Sequence, residues 1–82
     1  MSLHRNYNGF EVNARAMPLR SGWFSPMVVI TKHNGDNTKE IKLEPACANG
    51  YATAEEAIIH AMDYGLEAVD GNVKGFDPNS LR

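Results

Sequence analysis

The imidazole and thiol side chains that most often build zinc sites number four in this sequence: His4, His33, His60 and Cys47. A zinc site draws its ligands from close pairs, C-x-x-C or two histidines a few residues apart, because such spacing lets one turn present both donors. Here the four fall on four different expected elements. No metal and no cofactor is therefore expected, with His33 read as a turn residue and His60 as part of a solvated helix face. Catalysis by Cys47 would need a base within hydrogen-bond reach and a cause for a lowered thiol pKa. The helix start expected at Thr53 is near in sequence, but Pro45-Ala46-Cys47-Ala48-Asn49 reads as the setting of a small, semi-buried apolar residue. The glycines form neither G-x-G-x-x-G nor a Walker loop. Glu55, Glu56, Asp63 and Glu67 lie on the outer surface of a helix, where solvation accounts for them. These residues point away from an enzyme.

Charge is uneven along the chain. Six basic residues (Arg5, Arg15, Arg20, Lys32, Lys39, Lys42) and three acids lie between positions 5 and 42, whereas positions 53 to 71 hold five acids and no Lys or Arg. Arg15, Lys32 and Lys42 near Trp23 and Phe24 could form a nucleic-acid face. With a net charge of −2 overall, a mildly basic sheet edge that discourages strand addition is the simpler account.

The elements that must position these residues follow from periodicity. Phe10 to Ala16 alternates strictly, placing Phe10, Val12, Ala14 and Ala16 on one face of a strand. Pro18 to Gly22 carries turn chemistry. Trp23 to Thr31 is strongly β-prone, and its Met27-Val28-Val29-Ile30 core is apolar on both parities, as in a central strand. Pro26 is expected at a bulge or at the strand's start. Asn34-Gly35 is a hairpin signal of the type I′ kind. Lys39 to Glu44 alternates again with Ile41 and Leu43 inward, and Pro45 ends it. Thr53-Ala54-Glu55-Glu56 is a capping box that opens a helix. Ala54, Ala57, Ile58, Ala61, Met62, Gly65, Ala68 and Val69 share one face of it, and Gly71 stops it. The expected fold is thus α+β: a three-stranded antiparallel meander followed by one helix on one face, in the order β-β-β-α.

With 82 residues there is room for one core, and folding hides only about 60–65% of the surface of so short a chain. The expected organisation is a disordered N-terminus or expression remnant at 1–6, one domain at 7–71, and a loosely docked tail at 72–82. No run of about 18 apolar residues exists, so no membrane span is expected. The single cysteine cannot form an internal disulfide, which agrees with the cytosol.

Apolar surface exceeds what one helix can cover. Whichever parity of the Trp23–Thr31 strand faces the helix, the other is left on the outer sheet face. The expected arrangement puts Trp23, Met27 and Val29 in the core opposite Gly65 and leaves Phe24, Val28 and Ile30 outside. Ile59 and Leu66 broaden the apolar arc of the helix. Phe24, Val28, Ile30, Ile59 and Leu66 are therefore the candidate interface, and a homodimer is the expected assembly. On this reading Ile30→Lys would yield monomers. The other cover for one of these surfaces is the tail, through Phe76 and Leu81.

Taken in order, Tyr7-Asn8-Gly9-Phe10, Gly22-Trp23, Asn34-Gly35, the short strand Glu40 to Glu44, and Ala54-Glu55-Glu56-Ala57 resemble the HlyU-type family of small bacterial proteins, over Tyr7 to Gly71. The resemblance implies at most a regulatory role. The element order also looks like the sheet-reading DNA-binding domains of integrase arms. Phe24-Ser25-Pro26-Met27 and an acidic helix without basic residues depart from the HlyU-type pattern and argue against direct DNA binding. The expectation is a small, non-catalytic, self-associating interaction module, with nucleic-acid binding through the sheet as the alternative.

Overall fold

Asn8 and Gly9 both adopt positive φ, 50° and 84°, which is the backbone of a two-residue type I′ hairpin. In the computed structural model, which describes residues 2–45 and 49–73, this turn joins β1 (Ser2–Tyr7) to β2 (Phe10–Pro18). A second hairpin leads into β3 (Phe24–Asn34), and a third into β4 (Asn37–Leu43). The four strands form one antiparallel sheet in the order β1-β2-β3-β4, and α1 (Ala54–Val69) follows.

The fold is α+β, with four strands where the sequence reading has three. Ser2 to Asn6, expected to be disordered, belong to a strand that with Tyr7 pairs along its length with Phe10 to Arg15. An edge strand of this kind shows no apolar alternation: Leu3, Arg5 and Tyr7 face the helix side, and only Tyr7 is even half-buried. The third hairpin also differs in detail. Asn34 pairs with Asn37 across Gly35 and Asp36, and of these two only Gly35 has positive φ, at 63°. The Asn-Gly dipeptide that makes a type I′ turn is therefore Asn8-Gly9.

The core lies between the helix and the two central strands. Phe10, Val12, Ala14, Val28 and Ile30 meet Ile58, Ala61, Met62, Ala68 and Val69. Burying each large apolar side chain stabilises by about 1.5–3 kcal/mol. The parity of β3 is the reverse of the one expected. Val12 pairs with Ile30 and Ala14 with Val28, so Val28 and Ile30 share the inward face of β2 and are fully buried. Met27 and Val29 point to the outer face. Trp23 sits outside the strand and is exposed, so it is not the partner of Gly65. The small side facing Gly65 is made by Val12 and Val28.

Pro26 lies within β3, opposite Ala16, and not at a bulge. Phe24 exchanges both backbone hydrogen bonds with Tyr51, at 2.7 Å each, and pairs with Pro18 on its other side. Two residues on, the missing N–H of Pro26 falls on the same side as Tyr51, in the gap after β4 has ended at Leu43. The ladder loses nothing there.

The helix ends where its sequence says. Thr53 accepts from the Glu56 amide at 3.2 Å. At the other end Gly71, with φ 83°, donates to Ala68 and Asn72 donates to Glu67, the two bonds of a Schellman motif. Val73 packs against the core. Cys47, Phe76 and Leu81 lie outside the described residues.

Candidate functional site

Two surfaces stand out, one polar and one apolar. The polar one is on the outer sheet face. Glu11 on β2 holds His4 of β1 through Oε1 and His33 of β3 through Oε2, each at 3.1 Å. Asn13 donates to Oε1 at 3.3 Å, and the other ring nitrogen of His33 lies 3.3 Å from the Thr38 hydroxyl. The cluster ties β1, β2, β3 and β4 across the open face. The hydrogen bond from His33 holds the Glu11 carboxyl below its ordinary value, with Asn13 and His4 adding to the effect. The two imidazoles address opposite oxygens instead of converging on one point. Among the described residues no group of three His, Cys, Asp or Glu is placed to hold a metal ion.

A depressed carboxyl contributes stability above its unfolded-state pKa and loses it as pH falls through the folded-state value. Wild type should therefore exceed Glu11→Gln in melting temperature near neutrality, and the two curves should converge as pH drops below the ordinary carboxylate range. A gap that is constant with pH would show that the carboxylate charge is not what His33 and His4 hold.

The basic and aromatic residues do not gather on this face. Arg15 and Lys42 lie on it with Glu11 and Glu40. Lys32 points the other way, donates to the Gly9 carbonyl at 3.1 Å and stands 5.2 Å from the Phe10 ring centre. Trp23 belongs to the exposed end of the second hairpin, with Met17 and Leu19.

The apolar surface lies on the helix side, along β1. Two contacts fix which flank of α1 faces which edge. Tyr7 of β1 donates to the Asp70 carboxylate at 3.0 and 3.1 Å, which raises the phenol pKa. On the β4 side His60 stacks on Tyr51, ring centres 4.4 Å apart and 7° from parallel. At about 100° per residue, Ile59 and Leu66 share the flank of Asp70, above β1. Ile59 is 56% exposed and Leu3, on the same side of β1, is 43% exposed. Leu66 is half-buried.

Of the five residues of the candidate interface, Ile59 and Leu66 are thus at the surface together. Phe24 is half-buried beside Tyr51. Val28 and Ile30 are removed from the set, because the register of β2 and β3 turns them under the helix. Sequence reasoning missed Leu3 and the sheet edge beside it, which takes no further strand among the described residues. The available signal was Asn8-Gly9, whose hairpin requires a strand on each side.

Comparison of the chain with protein-family models, with curated proteins and with solved structures finds no match. Among the described residues no helix is long and apolar enough to cross a membrane.

Proposed function

We propose that this chain is a non-catalytic, cytosolic interaction module that associates with itself through the flank formed by Leu3, Ile59 and Leu66, and serves a regulatory assembly. The observation that carries the reading is an apolar strip at the surface beside β1, whose outer edge takes no second strand among the described residues. Single exposed hydrophobics are common on any protein, but apolar residues drawn from two elements along one sheet edge mark an interaction surface. The alternative, nucleic-acid binding through the sheet face, has less support. Arg15 and Lys42 are matched there by Glu11 and Glu40, so phosphates would meet no net positive field.

Light scattering of the full chain should report twice the 9.1 kDa chain mass, little changed by high salt. Ile59→Lys should shift the species to monomer, since it places a charge in a desolvated contact. Trp23→Lys, at the far hairpin, should leave the assembly intact. A folded wild-type monomer at high micromolar concentration would overturn the proposal.

A further inference from the structure

The hydrogen-bonding sense of β1 follows from its hairpin. A two-residue type I′ turn closes on a hydrogen-bonded pair, here Tyr7 and Phe10. Alternation then directs the peptide groups of Tyr7, Arg5 and Leu3 to β2, and those of Ser2, His4 and Asn6 to the outer edge, which has no partner strand among the described residues. This edge holds no proline and one charged residue, Arg5, apart from its histidine. The opposite edge, β4, carries Lys39, Glu40 and Lys42 within seven residues, the usual guard against strand addition.

On the helix side β1 presents one base, Arg5, and the helix flank above it is acidic, with Asp70 already holding Tyr7. Arg5 is exposed on that side and has no ion pair among the described residues. The helix has no Lys or Arg. At about 100° per residue Glu55 and Ile59 lie on the flank above β1, and Asp63, a further i+4 step along, lies at its outer rim toward solvent. We infer that the partner is a second copy, with the two β1 strands paired antiparallel about His4 into one eight-stranded sheet and Arg5 of each protomer set against the Glu55–Asp63 flank of the other. This inference rests on the self-association proposed above.

The register is the one that uses the whole edge without a like-charge pair. Centring on Leu3 pairs only Ser2 to His4. Centring on Arg5 sets two guanidinium groups directly opposite each other, which is destabilising. Centring on His4 pairs Ser2 with Asn6 and His4 with His4 through their outward peptide groups, and places Arg5 beside Leu3 of the partner. The helix lies over β2 and β3, so the two helices would stand about four strand spacings, roughly 19 Å, apart. After about 10–12 Å of helix diameter, a trough remains that Leu3, Arg5, Ile59 and Leu66 from both copies fill.

In a Cys47→Ser background, His4→Cys should form a disulfide-linked dimer on mild oxidation, because a hydrogen-bonded pair places its Cα atoms about 5.5 Å apart. Thr38→Cys on β4 should not. Asn6→Pro, which removes an outward donor and leaves the β2 ladder intact, should weaken the dimer about tenfold, corresponding to about 1.4 kcal/mol over two lost bonds. A dimer that neither cross-links at position 4 nor responds to Asn6→Pro would overturn the strand pairing and leave self-association standing. A wild-type monomer would overturn both. So would a chain ending at Val73 that dimerises when the full chain does not, since residues 74–82 would then be the cover.

Discussion

Ile30→Lys is expected to prevent folding, not to split a dimer. Ile30 has no exposed surface and stands in a central strand, paired with Val12 on one side and Ile41 on the other. The helix closes the remaining side. A lysine there has no short path to water along which its stem could carry the ammonium. Either the charge is buried unpaired or the amine gives up its proton, and both costs add to the lost burial of isoleucine. A total of about 4–5 kcal/mol or more is the result expected of such a change. For a domain of this length the whole stability is about 4–12 kcal/mol, and a chain this short, which hides little of its surface, belongs toward the lower end, so most or all of it is consumed. Circular dichroism at neutral pH should show loss of the cooperative thermal transition. Val29→Lys, one residue away on the outer face, should still fold. If Ile30→Lys gave a folded protein and Val29→Lys did not, the inward parity of β3 would be wrong.

That reversal of parity shows where the sequence was legible and where it was not. The helix could be read almost to the residue: Thr53 as cap, Gly71 as stop, and an inward face from Ala57 to Val69 that is buried as expected. Each of these features is local, set by hydrogen bonds within a few residues and by a 3.6-residue period. The alternation of Phe10 to Ala14 was likewise visible, since only one parity there is apolar. In β3 both parities are apolar, and local pattern cannot choose between them. The choice is made by register with β2, where a shift of one residue would turn every side chain over. The edge strand β1 was hidden for a related reason. A strand with one neighbour and little cover has no burial pattern to display, and only the turn beside it betrays it. The His4–Glu11–His33 cluster depends on both of these unread features, so its members appeared as unrelated residues.

Gly65→Ala should destabilise the protein although it improves the helix. In an exposed helix interior the exchange of glycine for alanine gains about 1 kcal/mol. At position 65 the added Cβ would lie 2.7 Å from Val12 Cγ1 and 2.7 Å from Val28 Cγ2, inside any tolerable contact. The obstructing atoms belong to β-branched side chains with stiff χ1 angles. Both valines are fully buried in adjacent central strands, so neither methyl can swing into free space. The helix must lift from the sheet or the valines must leave their rotamers, and overpacking of this kind costs about 1–3 kcal/mol. The net expectation is a loss of up to about 2 kcal/mol, because with two stiff obstructions the packing cost exceeds the propensity gain. The cause can be isolated with a second substitution. Val28→Ala alone should destabilise by opening a cavity, but combined with Gly65→Ala it removes one of the two obstructions and opens space into which the new methyl can shift away from Val12. Denaturant melts of the four proteins should give a favourable coupling of about 0.5–3 kcal/mol between the two sites. Additive effects, or a Gly65→Ala variant more stable than wild type, would mean that helix and sheet are not in contact at this glycine.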